Sequence, residues 1–217
     1  MRTGREFRKR GGFSLIEMVI VLGILAVLVS VLVPTLTRYI TDSKIRRAER
    51  DVQNIGSAIG RFSYDTGLWP VSTNFNASAA GITSKNDVDI LKGPGDAPED
   101  KTGTVTGGWL TEDGTSEAGV TARTIDGLEN QLMNNNADYR ISGRRAWGGP
   151  YLDELGKDPW GNAYLVNARY LQPDQIRNLK SVFVLSAGPD GEIDTPFEDP
   201  VDMFVFAQDD DITYRMK

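Results

Sequence analysis

The sequence of 217 residues contains no cysteine and no histidine. The absence of cysteine excludes disulfides and thiol nucleophiles, and the absence of both residue types excludes the usual ligand sets for zinc and imidazole general bases. Only carboxylate or lysine chemistry is left, and no nucleophile stands at a recognisable spacing from a base. We therefore expect that the protein is not an enzyme, with a membrane-tethered enzyme or solute-binding protein as an alternative.

Positive charge is concentrated at the N-terminus. Residues 1–12 contain five basic residues and one glutamate, a net charge of +4, whereas the whole chain has a formal charge of −6. Subtracting the first segment leaves −10 for residues 13–217. A strongly acidic segment is unsuited to electrostatic binding of nucleic acid, so we expect no nucleic-acid partner.

One long apolar run follows the basic segment, from Phe13 to Val33. Its 21 residues are enough to cross a bilayer, and they exceed the apolar core of about 7 to 15 residues in a secretory signal peptide. The run contains Glu17, and a carboxyl group in hydrocarbon is costly enough to indicate a function. A plain anchor would need neither this acid nor Gly11-Gly12 before the run. By the positive-inside rule, residues 1–12 stay in the cytoplasm and the rest of the chain after Val33 lies outside.

The stretch Arg8-Lys9-Arg10-Gly11-Gly12-Phe13-Ser14-Leu15-Ile16-Glu17 resembles the class III signal of type IV pilins and of type II secretion pseudopilins. The resemblance implies that an inner-membrane prepilin peptidase cleaves after Gly12 and methylates the new amine of Phe13. Glu17 would then be the fifth residue of the mature chain. Its implied role is assembly, in which its carboxylate pairs with the Phe13 amine of a neighbouring subunit.

An apolar stripe with steps of three and four residues continues beyond the span and predicts a long amphipathic helix. Its members are Ile45, Ala48, Val52, Ile55, Ile59 and Phe62. The helix is predicted to end at Asp65-Thr66-Gly67, which Pro70 follows. Within the helix, Pro34 predicts a kink or local melting. We therefore divide the chain into a leader peptide (1–12), a transmembrane helical half (13–35), an amphipathic continuation (36–66) and a periplasmic globular domain (67–217).

Two further stretches narrow the resemblance to the major pseudopilin of type II secretion. They are Phe62 to Pro70, and Trp147-Gly148-Gly149-Pro150-Tyr151-Leu152 followed by Lys157-Asp158-Pro159-Trp160-Gly161-Asn162-Ala163-Tyr164. The second reads as a turn that leads into a strand, with Trp160 as an apolar anchor. The implied fold is α+β, with a long N-terminal transmembrane and amphipathic helix packed on a small antiparallel β-sheet.

The implied function is that of a structural subunit of the periplasmic pseudopilus, which drives protein export. The implied partners are other copies of the chain in a helical homopolymer, prepilin peptidase, minor pseudopilins, and the inner-membrane assembly platform with its ATPase. The implied location is the bacterial inner membrane, as a single-pass protein. A type IV pilus subunit serving motility, adhesion or DNA uptake, or a minor pseudopilin, is the alternative.

The resemblance also implies a calcium site. Its expected ligands are the Ala187 carbonyl, Asp190 and Asp194 after the predicted β-run Ser181 to Ser186, with Asp210 and Asp211 before the last strand. Calcium takes six to eight oxygen ligands, and carboxylates on a glycine-containing loop supply them. Extra residues separate the two acidic stretches, including the strand-like run 203–206, so the spacing leaves open which acids converge. The candidates are Asp194, Asp199, Asp202, Asp209, Asp210 and Asp211.

Residues from about 71 to 125 form an insertion relative to the family, rich in Ser, Thr, Asn, Gly and Asp. Structureless loops of this length are uncommon in compact domains. Two interpretations stay open: the insertion is partly ordered by its few apolar residues, or it is functional at the filament surface. The apolar residues are Val88, Ile90, Leu91, Trp109 and Leu110.

Overall fold

The structure is a computed structural model, and it describes residues 12–73, 87–102, 108–109, 123–178, 180–198 and 207–216. The chain forms two compact units, Met1–Ser43 and Lys44–Lys217. The first unit is helical in its described part from Leu15 onward, and the second contains the rest of the helix and all the strands.

Helix α1 spans Leu15–Thr66, and Gly67 follows it with a φ of 70°. A left-handed residue after the last helical turn is a common way to end a helix, and glycine adopts it without steric cost. The helix is continuous through Pro34, so the predicted local melting is wrong. Proline removes the backbone donor that would pair with the Ser30 carbonyl. The Ser30 and Thr35 hydroxyls near this position donate to the carbonyls of Val27 and Val31.

The distal part of α1 contributes one face to the core, as its apolar stripe predicts. Ile45 is half-buried. The buried residues of the helix are Ala48, Val52, Ile55, Gly56, Ala58, Ile59, Phe62 and Thr66. The ring of Phe62 meets those of Tyr139 and Tyr151 edge-on, at centroid distances of 4.9 and 5.5 Å.

Seven short strands, one short α-helix and one 3-10 helix complete the described secondary structure. They are β1 (Ile90–Lys92), β2 (Glu99–Asp100), β3 (Ile125–Gly127), α2 (Leu128–Leu132), β4 (Leu165–Val166), the 3-10 helix Ala168–Leu171, β5 (Phe183–Ser186), β6 (Glu192–Ile193) and β7 (Ile212–Arg215). Five strands form one sheet in the order β3-β1-β4-β5-β7, and β2 pairs with β6 in a second sheet of two strands. The long helix and the sheet give an α+β architecture.

The main sheet is mixed, which corrects the prediction of an antiparallel sheet. The pairs β1–β4, β4–β5 and β5–β7 are antiparallel, but β1 and β3 are parallel, with Ile90 opposite Ile125. A parallel pair needs a connection of about a dozen residues or more. Residues 93–124 supply that connection, and they belong to the predicted insertion.

The insertion contributes to the core, which supports the first of its two interpretations. Val88, Ile90, Leu91 and Trp109 are fully buried. Leu110 lies outside the described residues, as do 74–86. Strands β1 and β2 both lie in this segment, so a composition typical of a loop conceals ordered structure.

The Asp158-Pro159-Trp160-Gly161 turn is held by its aspartate. Asp158 is buried, and its Oδ1 accepts backbone N–H groups from Trp160, Gly161 and Asn162 at 3.0, 2.8 and 2.8 Å. Its Oδ2 accepts the Ser186 hydroxyl at 2.8 Å, which ties the turn to the end of β5. Trp160 is only half-buried and is not part of the core, so its predicted role as the apolar anchor is wrong.

Candidate functional site

The predicted cleavage site lies just before α1, in backbone without regular structure. Gly12 and Phe13 are both exposed, and a Cβ atom added to Gly12 would have no atom within 4 Å. Phe13 has 73% of its surface exposed. The described residues therefore leave the Gly12–Phe13 peptide bond open to approach.

Glu17 lies in the first turn of α1 and contacts its own helix terminus. The backbone N–H of Ser14, the residue before the helix, donates to Glu17 Oε2 at 3.3 Å. Serine before a helix with glutamate three residues later is the capping-box pattern, in which the glutamate satisfies a donor that has no partner inside the helix. The Ser-x-x-Glu spacing is visible in the sequence and is the signal that would have predicted this contact.

The second candidate site is a group of four carboxylates. Oxygen atoms of Asp190, Asp194, Asp209 and Asp210 all lie within 4.8 Å of one another. Three of them belong to the predicted calcium set, and Asp209 was among the acids whose convergence the spacing left open. Asp199 and Asp202 fall outside the described residues, as does the strand-like run 203–206.

The two acidic stretches meet through direct backbone contact. The N–H of Asp190 donates to Asp210 Oδ2 at 3.2 Å. Gly188 has a φ of 67°, and a Cβ atom there would lie 2.3 Å from the carbonyl oxygen of Asp210. Only glycine permits this approach, because any side chain would collide with backbone. Ala187 is buried directly before it, at the end of β5.

Asp211 lies outside the group of four, and its side chain organises the loop instead. Its Oδ2 accepts the N–H groups of Asp194 and Thr195 at 3.0 and 2.7 Å. Burial raises the pKa of Asp211 to about 6, although the hydrogen bonds from Thr195 and Asp194 act in the opposite direction. The predicted residue is thus adjacent to the site, and it holds the backbone that carries Asp194.

The donor set fits a hard cation such as calcium. Asp210 Oδ1 and Asp211 Oδ1 are buried and accept no hydrogen bond from described residues. Burial raises the pKa of Asp210, and the hydrogen bond from the Asp190 backbone N–H acts in the opposite direction, while the charge of Asp190 raises the pKa further. A buried carboxylate oxygen that accepts no hydrogen bond has lost its water without gaining a partner, which costs free energy. A bound cation with oxygen ligands would replace the lost water.

Within the described residues, α1 is a helix long and apolar enough to cross a membrane. Its apolar N-terminal stretch is exposed throughout. Helices that face lipid need no cover from protein, because their backbone groups are paired internally.

Two family models match the chain. The model described as "Prokaryotic N-terminal methylation motif" matches residues 7–33, and the model described as "Type II secretion system (T2SS), protein G" matches residues 117–201. The first covers Gly12, Phe13 and Glu17. The second covers the Trp147–Tyr164 motifs and the first acidic stretch, but it stops before Asp209. No curated protein and no solved structure matches the chain.

Proposed function

Because this chain belongs to the type II secretion system protein G family, as a pseudopilin subunit, we propose that it polymerises through its N-terminal helix into a periplasmic filament. The family is structural and is processed by prepilin peptidase. The exposed apolar surface of α1 carries the proposal. Phe13 and Leu15 expose 73% and 82% of their surfaces, and the described residues leave the span uncovered. A surface of this kind requires lipid or other copies of the helix.

We propose that cleavage occurs after Gly12 and that the mature chain begins at methylated Phe13. The basic residues of the leader support a cytoplasmic N-terminus, and the unit Lys44–Lys217 would then lie in the periplasm. An ATP-driven platform in the inner membrane would extract the subunits, with minor pseudopilins as further partners. The protein would then act by assembly and not as an enzyme.

The first test is the N-terminal sequence and intact mass of the protein recovered from native membranes. A chain that begins with methylated Phe13 agrees with the proposal. A chain that retains Met1, or that begins after Val33, would contradict the proposal. The protein would then be a plain membrane-anchored domain or a secreted domain.

Glu17 is the residue that we propose for subunit pairing. In the single chain its Oε2 accepts the N–H of Ser14, and Oε1 accepts no hydrogen bond from described residues. Its carboxylate can therefore accept a second donor, such as the Phe13 amine of a neighbour. Removal of one partner from a buried ion pair costs about 3 to 5 kcal/mol, enough to stop polymerisation.

The test of this pairing is Glu17→Ala, with Glu49→Ala as the control. Both glutamates are exposed on α1, but Glu49 lies beyond the apolar run. We expect Glu17→Ala to be inserted and cleaved without forming filaments, and Glu49→Ala to form them. Abundant filaments from Glu17→Ala in electron micrographs would refute the pairing role.

We propose in addition that calcium binds to Asp190, Asp194, Asp209 and Asp210, with the Ala187 carbonyl nearby and Asp211 as support for the loop. The carboxylates within 4.8 Å of one another support this proposal. A ligand that binds only the folded state at a hundred times its Kd stabilises that state by about 2.7 kcal/mol. Chelation should therefore lower the melting temperature, and excess calcium should restore it. An identical transition with and without calcium would end the proposal.

A further inference from the structure

The acidic loop, residues 187–195, is contacted on two sides by a segment from the insertion. This segment, here named the clamp segment, consists of the described residues 95–102 and 108–109. It lies outside residues 117–201, which the protein G family model matches. The first contact is made by the backbone of β2, and the second by the side chain of Trp109.

The backbone contact is a short parallel pair. Strand β2 lies beside β6, with Glu99 opposite Glu192. The N–H of Glu99 donates to the Gly191 carbonyl at 3.0 Å, and the N–H of Lys101 donates to the Ile193 carbonyl at 3.1 Å. The Lys101 ammonium group also forms an ion pair with the Glu192 carboxylate. Bonds therefore fix the part of the loop between Asp190 and Asp194.

The side-chain contact is made by Trp109, which is fully buried. Its indole Nε1–H donates to the Thr195 carbonyl at 2.8 Å. The ring meets Phe183 and Phe197 edge-on, with centroid distances of 5.4 and 5.1 Å. Its own backbone N–H donates to the Asp100 carboxylate, so the two contacts of the clamp segment are connected. Thr195 follows Asp194 directly, so this bond holds the distal end of the acidic loop.

These contacts oppose a specific electrostatic cost. Four carboxylates within 4.8 Å of one another repel, and a loop free to move would separate them before a cation arrives. We infer that the clamp segment is a positioning element that holds the acidic loop in its convergent conformation in the absence of any cation. The role of the clamp segment in cation binding rests on the calcium proposal. The conformation of the acidic loop can be measured without calcium. A loop ordered in advance loses less entropy when it binds its ligand.

Two variants of the full-length chain in detergent test the inference. Trp109→Phe keeps an aromatic ring between Phe183 and Phe197 and removes the donor to Thr195. Lys101→Pro removes the N–H donor to the Ile193 carbonyl and leaves Trp109 in place. This second variant tests the inference if Trp109→Phe fails to fold. The matched control is Trp147→Phe, because the Trp147 indole also donates to a backbone carbonyl, that of Gln131 at 3.2 Å, and lies on a different part of the domain.

The first measurement is hydrogen exchange of the Asp194 and Thr195 amides in EDTA. Both donate to Asp211 and not to the clamp segment, so their exchange reports the conformation of the loop. We expect protection in the natural chain and in Trp147→Phe. Exchange should be about three- to tenfold faster in Trp109→Phe and Lys101→Pro, the equilibrium equivalent of one lost hydrogen bond. Titration calorimetry with calcium should show a weaker Kd by a similar factor in the same two variants.

Unprotected amides in the natural chain in EDTA, or unchanged exchange in both clamp variants, would overturn the inference. Absence of calcium binding by the natural chain would overturn the calcium proposal alone, because the exchange comparison needs no metal. Faster exchange in Trp147→Phe as well would show a general loss of stability and would also count against the clamp.

Discussion

At the scale of single residues, the Asp158 carboxylate is the acceptor of four hydrogen bonds. It accepts three N–H groups of its own turn and the hydroxyl of Ser186 while buried. Asp158→Ala leaves the Trp160 and Asn162 N–H groups and the Ser186 hydroxyl without this acceptor, whereas the Gly161 N–H keeps its bond to the carbonyl of residue 158 at 3.1 Å. Each unsatisfied buried group costs about 1 to 3 kcal/mol. We expect a loss of roughly 3 kcal/mol or more in the free energy of unfolding, measured by urea denaturation.

The control for that variant is Asp153→Ala. Asp153 lies in the same connection but is exposed, and surface substitutions usually change stability by less than about 0.5 kcal/mol. Equal stability of the two variants would show that the hydrogen bonds of Asp158 contribute little. Asp158→Asn should lie between them, because an amide keeps one acceptor oxygen for the three N–H groups.

Tyr164 provides a pH-dependent contribution at the same scale. Its hydroxyl donates to Asp51 Oδ2 at 2.9 Å, which links the residue directly before β4 to α1. Burial, followed by this hydrogen bond and the Asp51 charge, raises the pKa of Tyr164 above its ordinary value of 10.0. Because the pKa of Tyr164 is higher in the folded state than in the unfolded state, the protonated hydroxyl contributes to the free energy of unfolding. This contribution is fully present below about pH 10. It is lost as the pH rises further, because the unfolded state releases the proton first.

The expected result is a fall in unfolding free energy above pH 10 that is shallower in Tyr164→Phe than in the natural chain. One proton corresponds to a slope of at most about 1.4 kcal/mol per pH unit. Tyr139 and Tyr170 also have raised pKa values through burial, so a slope should remain in the variant. Parallel curves for the two chains between pH 9 and 11 would contradict the assignment.

At the scale of elements, two glycines of α1 have opposite surroundings on one helix. A Cβ atom at Gly56 would lie 2.4 Å from the ring of Tyr214 on β7, whereas a Cβ atom at Gly60 would have no atom within 4 Å. Gly56→Ala forces the ring away from the helix, and we expect a loss of about 1 to 3 kcal/mol. Gly60→Ala should gain about 0.5 to 1 kcal/mol, because alanine is the better helix former. Thermal denaturation measures whether each variant is less or more stable than the natural chain. A stabilised Gly56→Ala would contradict the expectation, because it would show that α1 and β7 have room between them.

The sequence predicts elements whose signal is local and repeated. The stripe from Ala48 to Phe62 repeats over several turns, and the run Ser181 to Ser186 is rich in β-branched and aromatic residues, so α1 and β5 were found. Strands β2 and β6 contain two residues each. No alternation can be recognised over two residues, and their pairing depends on contacts distant in sequence.

The candidate metal site shows the same limit. The structure brings together carboxylates from both predicted acidic stretches, but of three adjacent aspartates Asp209 and Asp210 belong to the group and Asp211 does not. Asp209 has a φ of 54°, and Asp211 turns toward the N–H groups of residues 194 and 195. Left-handed backbone at a non-glycine residue is uncommon and depends on its surroundings. The sequence could therefore identify the cluster but could not assign its members.

At the scale of the whole molecule, the described residues of α1 from 15 to 43 are exposed, while the buried core lies in the unit Lys44–Lys217. The first buried residue of the helix is Ala48. None of the described residues that form the buried core lies in the first unit. What it offers is apolar surface, which in water drives association in proportion to its area.

A chain truncated to residues 44–217 should therefore fold cooperatively in buffer without detergent and should sediment as a monomer. The full-length chain should require lipid, detergent or its own polymer, since the surface of residues 13–43 remains uncovered in the single subunit. Urea denaturation should give unfolding free energies for the two chains that agree within about 0.5 kcal/mol, because distant and independent parts contribute additively. Filaments assembled from the truncated chain would contradict this division, because they would mean that the globular unit, and not the N-terminal helix, contains the contacts that hold the polymer together.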